Sequence, residues 1–193
     1  MTFKETKGLI RSDYYRLRES FSFHMFIKDL IFNSSFKTTF WLRIGNYLNS
    51  KRNIVAKMLK LLVELKMWRN TNRTGIQIKI GTEIGPGLNI HHISGIIMSP
   101  EVKIGKNFTI YQGVTVGRVH SGKKAGVPTV GDNVTAFAGS KILGNIKIGD
   151  NVIIGANAVV LSDVPDNVTV GGIPAKIISQ DDASGYVRNF YTE

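Results

Sequence analysis

The sequence of 193 residues contains no cysteine and only 5 prolines, of which the first is Pro86. Without cysteine there is no disulfide, no thiolate metal ligand and no cysteine nucleophile, so any chemistry must use oxygen and nitrogen groups. No stretch approaches the roughly 18 consecutive apolar residues that a membrane-spanning helix needs, and residues 1–10 do not resemble a secretory signal. We therefore expect a soluble protein of the cytoplasm.

Acidic residues are scarce in the first part of the chain. Residues 1–74 carry 15 Lys and Arg against 5 Asp and Glu, whereas residues 75–193 carry 10 against 9. Positive charge confined to one segment indicates an anionic partner, such as a membrane surface, a phosphorylated carrier or nucleic acid, although a solvated helical face at a subunit interface has the same composition. No recognisable nucleic-acid-binding motif accompanies the charge, so we expect no nucleic-acid partner.

Residues 1–74 are predicted to form an N-terminal helical domain, because apolar residues recur there at spacings of three and four and proline is absent. The clearest helix covers residues 51–68. Its apolar stripe consists of Ile54, Met58, Leu61, Leu62, Leu65 and Trp68, opposite Lys51, Lys57, Lys60 and Lys66. The stripe of such a basic amphipathic helix either packs on other helices or touches a membrane, here the inner face of the cell membrane.

Beyond residue 75 the sequence repeats with a period of six. The lead positions before the first interruption are Ile80, Pro86, His92, Met98, Ile104, Ile110 and Val116, and all of these except His92, together with the residues four positions later, are non-polar. Helices and strands repeat about every 3.6 and 2 residues, so neither explains this period. Short strands joined by tight bends and stacked as a parallel β-helix do explain it. We predict a mainly β fold, with a β-helix domain over residues 75–178 and a tail over residues 179–193.

The repeat is interrupted between Val116 and Val130, which are 14 residues apart, two more than a multiple of six. Residues 118–127 must therefore leave the coil as a loop, and loops on rigid scaffolds often carry substrate contacts. His120, Lys123 and Lys124 give this loop a basic character. We predict that they bind an anionic acceptor, the alternative being that they only solvate the loop.

Several segments resemble the hexapeptide-repeat acyltransferases, and within them the serine acetyltransferases and the O-acetyltransferases of bacterial surface polysaccharides. The resemblance rests on residues 36–48, NIHHISGIIM (89–98), FTIYQGVTVG (108–117), residues 139–160 and GGIPAKII (171–178). It implies a left-handed β-helix of triangular section that assembles as trimers, with acetyl-CoA in a groove between neighbouring subunits. It also suggests that two trimers pair through the N-terminal helices.

The resemblance assigns the central catalytic role to His92 in the HISG segment, where the family's histidine removes the proton of the acceptor hydroxyl. A histidine is suited to this task because it titrates near neutral pH. By the period of six, His92 occupies an inward lead position, which would also suit a core histidine without a catalytic role. The neighbouring His91 falls on the outward phase and is predicted to bind the acceptor.

The matched segments also imply contacts with the acetyl donor. Gly117, Ala138 and Gly139 would allow the pantetheine arm to approach closely, and Leu161 and Ser162 would offer backbone contacts. The phosphates of coenzyme A would meet Lys141 and Lys176. No metal is expected.

Departures from the serine acetyltransferase pattern affect the acceptor. Where those enzymes carry two aspartates this chain has His91 and Gln77, and their Arg–His pair for the serine carboxylate falls on Gly126 and Val127. We therefore predict an acceptor hydroxyl on a sugar or polysaccharide precursor of capsule, exopolysaccharide or O-antigen type. The first alternative is a serine O-acetyltransferase. The second is a non-catalytic scaffold with a metal at His91 and His92, which point to opposite sides if the segment is extended.

Overall fold

The computed structural model describes residues 1–180, 185 and 189–192, so most of the predicted tail lies outside the described residues. The helices are α1 (Phe3–Arg18), α2 (Phe23–Phe32), α3 (Ser34–Asn49) and α4 (Ile54–Thr74). The strands are β1 (Glu83–Ile84), β2 (Asn89–His91), β3 (Ile97–Met98), β4 (Lys103–Ile104), β5 (Thr109–Tyr111), β6 (Thr115–Gly117), β7 (Thr129–Val130), β8 (Thr135–Ala136), β9 (Lys141–Leu143), β10 (Lys147–Ile148), β11 (Ile153–Ile154), β12 (Val159–Val160), β13 (Thr169–Gly171) and β14 (Lys176–Ser179).

Local capping signals explain where the helices begin and end. Thr2 and Glu5 form a capping box at the start of α1. The side chains of Asn33 and Asn53 each accept a hydrogen bond from the backbone N–H three residues later, at the starts of α3 and α4. Such caps contribute about 1 kcal/mol each. The last helix ends at Gly75, which adopts a left-handed conformation with φ of 69°.

The strands form three stacked sheets in the described part of the chain. Their orders are β1-β4-β7-β10, β2-β5-β8-β11-β13-β14 and β3-β6-β9-β12. Neighbours within these sheets pair in parallel, and the described exception is the antiparallel pair of β13 and β14. Each turn of the chain thus adds one short strand to each sheet in succession. The predicted left-handed parallel β-helix with an N-terminal α-helical segment is confirmed.

Aliphatic side chains fill the interior of the coil. Ile110, for example, lies between Ile90 and Ala136 of the adjacent coils, and all three side chains are buried. One corner of the coil is formed by Asn107, Asn133, Asn151 and Asn167, which have φ between 56° and 58°. Their side chains donate to one another in a ladder at 2.8–3.0 Å. Asparagine tolerates this left-handed geometry, so the turn is repeated at each coil.

The register of the strands reveals an insertion that the period of six did not predict. Ile90 pairs with Ile110, 20 positions later, whereas Met98 pairs with Val116, 18 positions later. The coil that contains His92 therefore has two additional residues, located between Ile90 and Met98. The prediction that His92 occupies an inward lead position is wrong, because the inward residues before this insertion are in the phase of Ile90.

The helices close the open edge of the first coil through a buried ion pair. Arg43 on α3 donates to Asp13 on α1 from Nε at 2.9 Å and from Nη2 at 3.0 Å, and both side chains are 1% exposed. Arg43 also donates to the carbonyls of Ile84 and Gly85, while Asp13 accepts from the N–H of Leu88. Burial raises the pKa of the Asp13 carboxyl, and the Arg43 guanidinium opposes that rise. The pair thus satisfies coil backbone groups that have no coil below them.

The helix α4 does not pack against α3 with the apolar stripe, for which the sequence left open packing on helices or contact with a membrane. Ala56 and Val63 are buried in a cluster with Leu48, and Met67 packs against them. The apolar stripe predicted from the sequence lies on the opposite side and is exposed. Among the described residues, no helix has the length and apolar character needed to span a membrane.

The substitution Arg43→Met is expected to lower the free energy of unfolding by roughly 3–5 kcal/mol, because it leaves the Asp13 carboxylate buried without its cation. The control Arg118→Met breaks an exposed pair with Glu101, whose atoms lie 3.0 Å apart. That loss should cost no more than about 1 kcal/mol. Chemical denaturation followed by circular dichroism measures the free energy of unfolding of both variants. An equally small loss in both would contradict the conclusion that the buried pair joins the helices to the β-helix.

Candidate active site

His92 projects from the coil at the two-residue insertion and is exposed to solvent. Its φ is 60°, and the following Ser94 and Gly95 have φ of 115° and 63°. Positive φ is uncommon outside glycine, although histidine is among the residues enriched there. Such a backbone persists only where the surrounding structure holds it, and these sites cluster at functional centres.

An aromatic ladder lies beside His92 on the outer face of the second sheet. The ring of His91 stacks on Tyr111 with centroids 4.7 Å apart and an interplanar angle of 10°. Tyr111 in turn stacks on Phe137 at 5.0 Å, and the ring of His92 lies 6.2 Å from that of Tyr111. The amide of Asn89 contacts Nε2 of His91 at 3.1 Å. The predicted outward direction of His91 therefore agrees with the structure, and the ladder holds its ring in place.

A shallow cleft separates His92 and Ile93 from the junction between α2 and α3. Its volume is about 500 Å³, and its other lining residues are Lys28, Asp29, Phe32, Asn33, Ser34 and Ser35. Asp29 is buried and accepts two hydrogen bonds of 2.8 Å from Arg18. Lys28 is exposed and places a cation in the same cleft as His92.

A column of glycines runs from the His92 segment along the corner between the second and third sheets. A Cβ added to Gly95 would contact Gly113, and one added to Gly113 would contact Gly139. The next residue in the column is Asn157, whose carbonyl oxygen Oδ1 would lie 2.0 Å from a Cβ on Gly139. Because strands stack about 4.8 Å apart, these glycines lie one above another, and we call the corner that they form, which lacks side chains from Gly95 to Gly139, the bare corner. The closing GGIPAK segment lies over its far end, where the N–H of Ala175 donates to Val159.

The residues predicted to contact the acetyl donor divide between this corner and the far edge of the third sheet. Ala138 and Gly139 are in the corner, and the Lys141 ammonium lies across it, donating to the carbonyl of Gly113. Lys176 begins β14, directly after the GGIPAK turn. The residues at the far edge are Gly117 at the end of β6 and Leu161 and Ser162 after β12.

The loop of residues 118–127 is a folded hairpin. Val119 and Gly126 exchange two backbone hydrogen bonds of 2.9 and 3.0 Å. The carbonyl of Lys124 accepts from the N–H of Asn145 at 2.9 Å, and the Lys124 ammonium lies 3.7 Å from Asp163. His120 and Lys123 are exposed. His92 lies just before a strand of the third sheet, β3, and the hairpin lies just after another strand of that sheet, β6. The hairpin and His92 are therefore at opposite edges of the third sheet within one chain.

Three comparisons with known proteins bear on this site. A family model described as bacterial transferase hexapeptide (six repeats) matches residues 128–162. A serine acetyltransferase of Staphylococcus aureus is 53% identical over 110 residues, which is 56% of this chain and 51% of that protein. The crystal structure of Neisseria gonorrhoeae serine acetyltransferase in complex with serine has a TM-score of 0.73 at 30% identity, covering 90% of this chain and 69% of that one.

This chain belongs to the hexapeptide-repeat acyltransferase family. Serine acetyltransferase from Brucella abortus strain S19 in complex with coenzyme A has a TM-score of 0.76 at 27% identity, covering 93% of this chain and 70% of that one. The chain spans little more than half the length of the curated relatives that it matches.

The predicted sugar or polysaccharide acceptor is wrong for this chain, because the relatives at up to 53% identity and the structural relatives are serine acetyltransferases. That prediction depended on Gly126 and Val127 replacing an Arg–His pair. In the structure Gly126 is hydrogen-bonded to Val119 within a hairpin. The residues aligned at positions 126 and 127 therefore do not by themselves decide whether a carboxylate can be bound.

Sequence reasoning missed the amide of Gln112 at this site. The pairing of His91 with Tyr111 places Gln112 in the coil next to His92. Its Oε1 is buried and has no hydrogen-bond partner among the described residues. A shift of two positions in the repeat, which would put both Pro86 and His92 outside the lead positions, was the signal that could have revealed this neighbour. Lys28 had no such signal, because only the packing of α2 brings it to His92.

Among the described residues, no group of three or more His, Cys, Asp or Glu side chains is arranged to hold a metal ion. The rings of His91 and His92, the pair considered as a metal site, have their centroids 6.4 Å apart.

The substitution Lys141→Met is expected to weaken coenzyme A binding by about fivefold to tenfold, because it removes a cation from the bare corner. Isothermal titration calorimetry at low salt measures the loss, and added salt should reduce the difference between the variants. The control is Lys147→Met, at the start of β10 in the first sheet. Equal dissociation constants for the two variants would contradict a phosphate-binding role for Lys141.

Proposed function

We propose that this chain is a serine O-acetyltransferase with acetyl-CoA as donor and His92 as general base. The observation that carries the proposal is the two-residue insertion, because it presents the HISG segment to solvent at the start of the glycine column. The likeness to serine acetyltransferases supports the acceptor, and the coenzyme A complex of the Brucella relative supports the donor.

His92 has one chemical task in this proposal. It accepts the proton of the serine hydroxyl while that oxygen attacks the thioester carbonyl. A C–O bond forms, the C–S bond breaks, and the proton passes from the imidazolium to the departing thiolate, so that O-acetylserine and coenzyme A leave. General base catalysis of this kind contributes about 10² to 10⁴ in rate. The exposed position of His92 suits this task, since an inward side chain could not reach two substrates.

The donor is proposed to lie along the bare corner. Gly139 and Ala138 carry little or no side chain, so the pantetheine arm would approach the backbone there, beside the side chain of Asn157. Lys141 and Lys176 would meet the phosphates. Gly117, Leu161 and Ser162 are proposed to contact the donor from the far edge of the third sheet.

The acceptor is proposed to occupy the cleft between His92 and the α2–α3 junction. Lys28 lines that cleft and can pair with the serine carboxylate. The stacked ring of His91 presents its edge beside His92, where it would contact the acceptor. His120, Lys123 and Lys124 can join such a site only from another subunit.

We propose a homotrimer, because it would bring the hairpin of one subunit and the glycine column of the next to a shared groove. Two trimers could pair through the N-terminal helices, or those helices could contact a membrane. The charge around α4 favours the membrane. Since acetyl-CoA is an intracellular metabolite, we propose that the enzyme works in the cytoplasm, at the inner face of the membrane.

The proposed acceptor is tested by following coenzyme A release from acetyl-CoA with and without L-serine, with mass spectrometry of the product. We expect serine-dependent release at least about tenfold above hydrolysis, together with O-acetylserine. Ethanolamine is a matched control, since it is serine without the carboxylate. Tight coenzyme A binding with no serine-dependent turnover would refute the serine acceptor while leaving the donor site intact.

The substitution His92→Ala is expected to lower kcat by at least about 10² while leaving the dissociation constant of acetyl-CoA nearly unchanged, because only proton transfer is lost. The control His24→Ala removes an exposed histidine on α2. Steady-state kinetics and calorimetry give the two quantities. Turnover of the His92 variant within a few-fold of the unmodified protein would exclude His92 as the base.

A further inference from the structure

The helix α4 presents its most apolar face to solvent. Its packing face against α3 is built from Ala56, Val63 and Met67. Half a turn away lie larger apolar side chains, of which Leu61, Leu65 and Trp68 are 66%, 54% and 61% exposed. The other members of this exposed face are Ile54, Val55, Met58 and Leu62. We call these seven residues the α4 apolar face. It spans residues 54–68, about 21 Å along the helix.

Cations surround the α4 apolar face. Lys57 and Lys66 lie on its two sides, and Arg69 and Arg73 follow at its C-terminal end, all of them exposed. The acidic residue of α4 is Glu64, which lies 3.3 Å from Lys60. Residues 1–74 as a whole carry 15 basic against 5 acidic side chains. The surface therefore combines apolar area with an excess of positive charge.

We propose that the α4 apolar face binds the surface of an anionic lipid bilayer, with α4 lying in the plane of the interface. Helices with this arrangement bury their apolar side chains at the boundary between headgroups and acyl chains, while flanking Lys and Arg pair with anionic headgroups. Trp68 suits such a position because indole rings favour the membrane interface. The proposal does not depend on which hydroxyl the enzyme acetylates.

A second copy of the chain fits this surface less well. Pairing two α4 apolar faces would bring the cations of Lys57, Lys66 and Arg69 on one copy towards the same cations on the other. Like charges brought together at an interface oppose association. An anionic bilayer neutralises the same cations and accepts the apolar side chains at once.

Flotation with vesicles tests the proposal on the full-length protein. We expect binding to vesicles of phosphatidylglycerol and phosphatidylcholine, little binding to phosphatidylcholine alone, and weaker binding at high salt. The tryptophan emission should shift to shorter wavelength on binding, and Trp68→Phe should abolish most of that shift while binding persists. Binding that ignores lipid charge would overturn the proposal.

Two double variants separate the apolar and charged contributions. Leu61→Ser with Leu65→Ser should weaken vesicle binding at least about tenfold, because two leucines no longer enter the interface. The control is Ile177→Ser with Ile178→Ser, which removes exposed apolar side chains from β14. Lys57→Gln with Arg69→Gln should weaken binding roughly 25-fold, about fivefold per charge, whereas Lys103→Gln with Lys147→Gln on the β-helix should not.

Circular dichroism and coenzyme A binding should match the unmodified protein in all four double variants. If a variant pair of α4 binds vesicles as well as its control, the proposal fails. Analytical ultracentrifugation without lipid tests whether a second copy of the chain covers the α4 apolar face instead. A change from a larger to a smaller assembly in the Leu61 and Leu65 variant, without vesicle binding by the unmodified protein, would assign the face to a second copy instead.

Discussion

The buried ion pair of Asp13 and Arg43 is the interaction on which the arrangement of this molecule depends. A β-helix leaves an open edge at its first coil, with backbone groups that no neighbouring strand can satisfy. Arg43 binds the carbonyls of Ile84 and Gly85, and Asp13 binds the N–H of Leu88, so the two side chains replace a missing coil. Because the charges are buried, their mutual pairing is what makes this cap tolerable.

Fixing α1 and α3 on that edge also determines what faces His92. The junction between α2 and α3 forms the opposite wall of the cleft, and the Arg18–Asp29 pair ties α2 to α1. The two-residue insertion then places His92 at this wall rather than in the core. The candidate catalytic residue thus lies where a rigid coil meets helices that could carry acceptor contacts, while the glycine column leads away from it towards the closing segment.

The same packing leaves α4 with an unusual distribution of surfaces. Its small side chains, Ala56 and Val63, pack against α3, and the large ones remain outside. The large apolar side chains of α4 therefore share the surface with the excess of basic residues found before residue 75. The lipid contact that we propose uses the side chains that this packing leaves outside.

The sequence by itself determined the architecture of this protein, because a hexad of aliphatic residues around a stacked coil is a local pattern that repeats at every turn. It also located the loop at residues 118–127, through the break in the repeat, and the HISG segment, through the resemblance to the family. It signalled the direction of His92 only through the unusual lead residues Pro86 and His92, and the pairing of Ile90 and Met98 was needed to locate the two-residue insertion. Only the tertiary structure decided that Lys28 lies near His92, that the hairpin lies away from it, and that the stripe of α4 is exposed. Each of these depends on contacts between residues distant in sequence, for which periodicity carries no information.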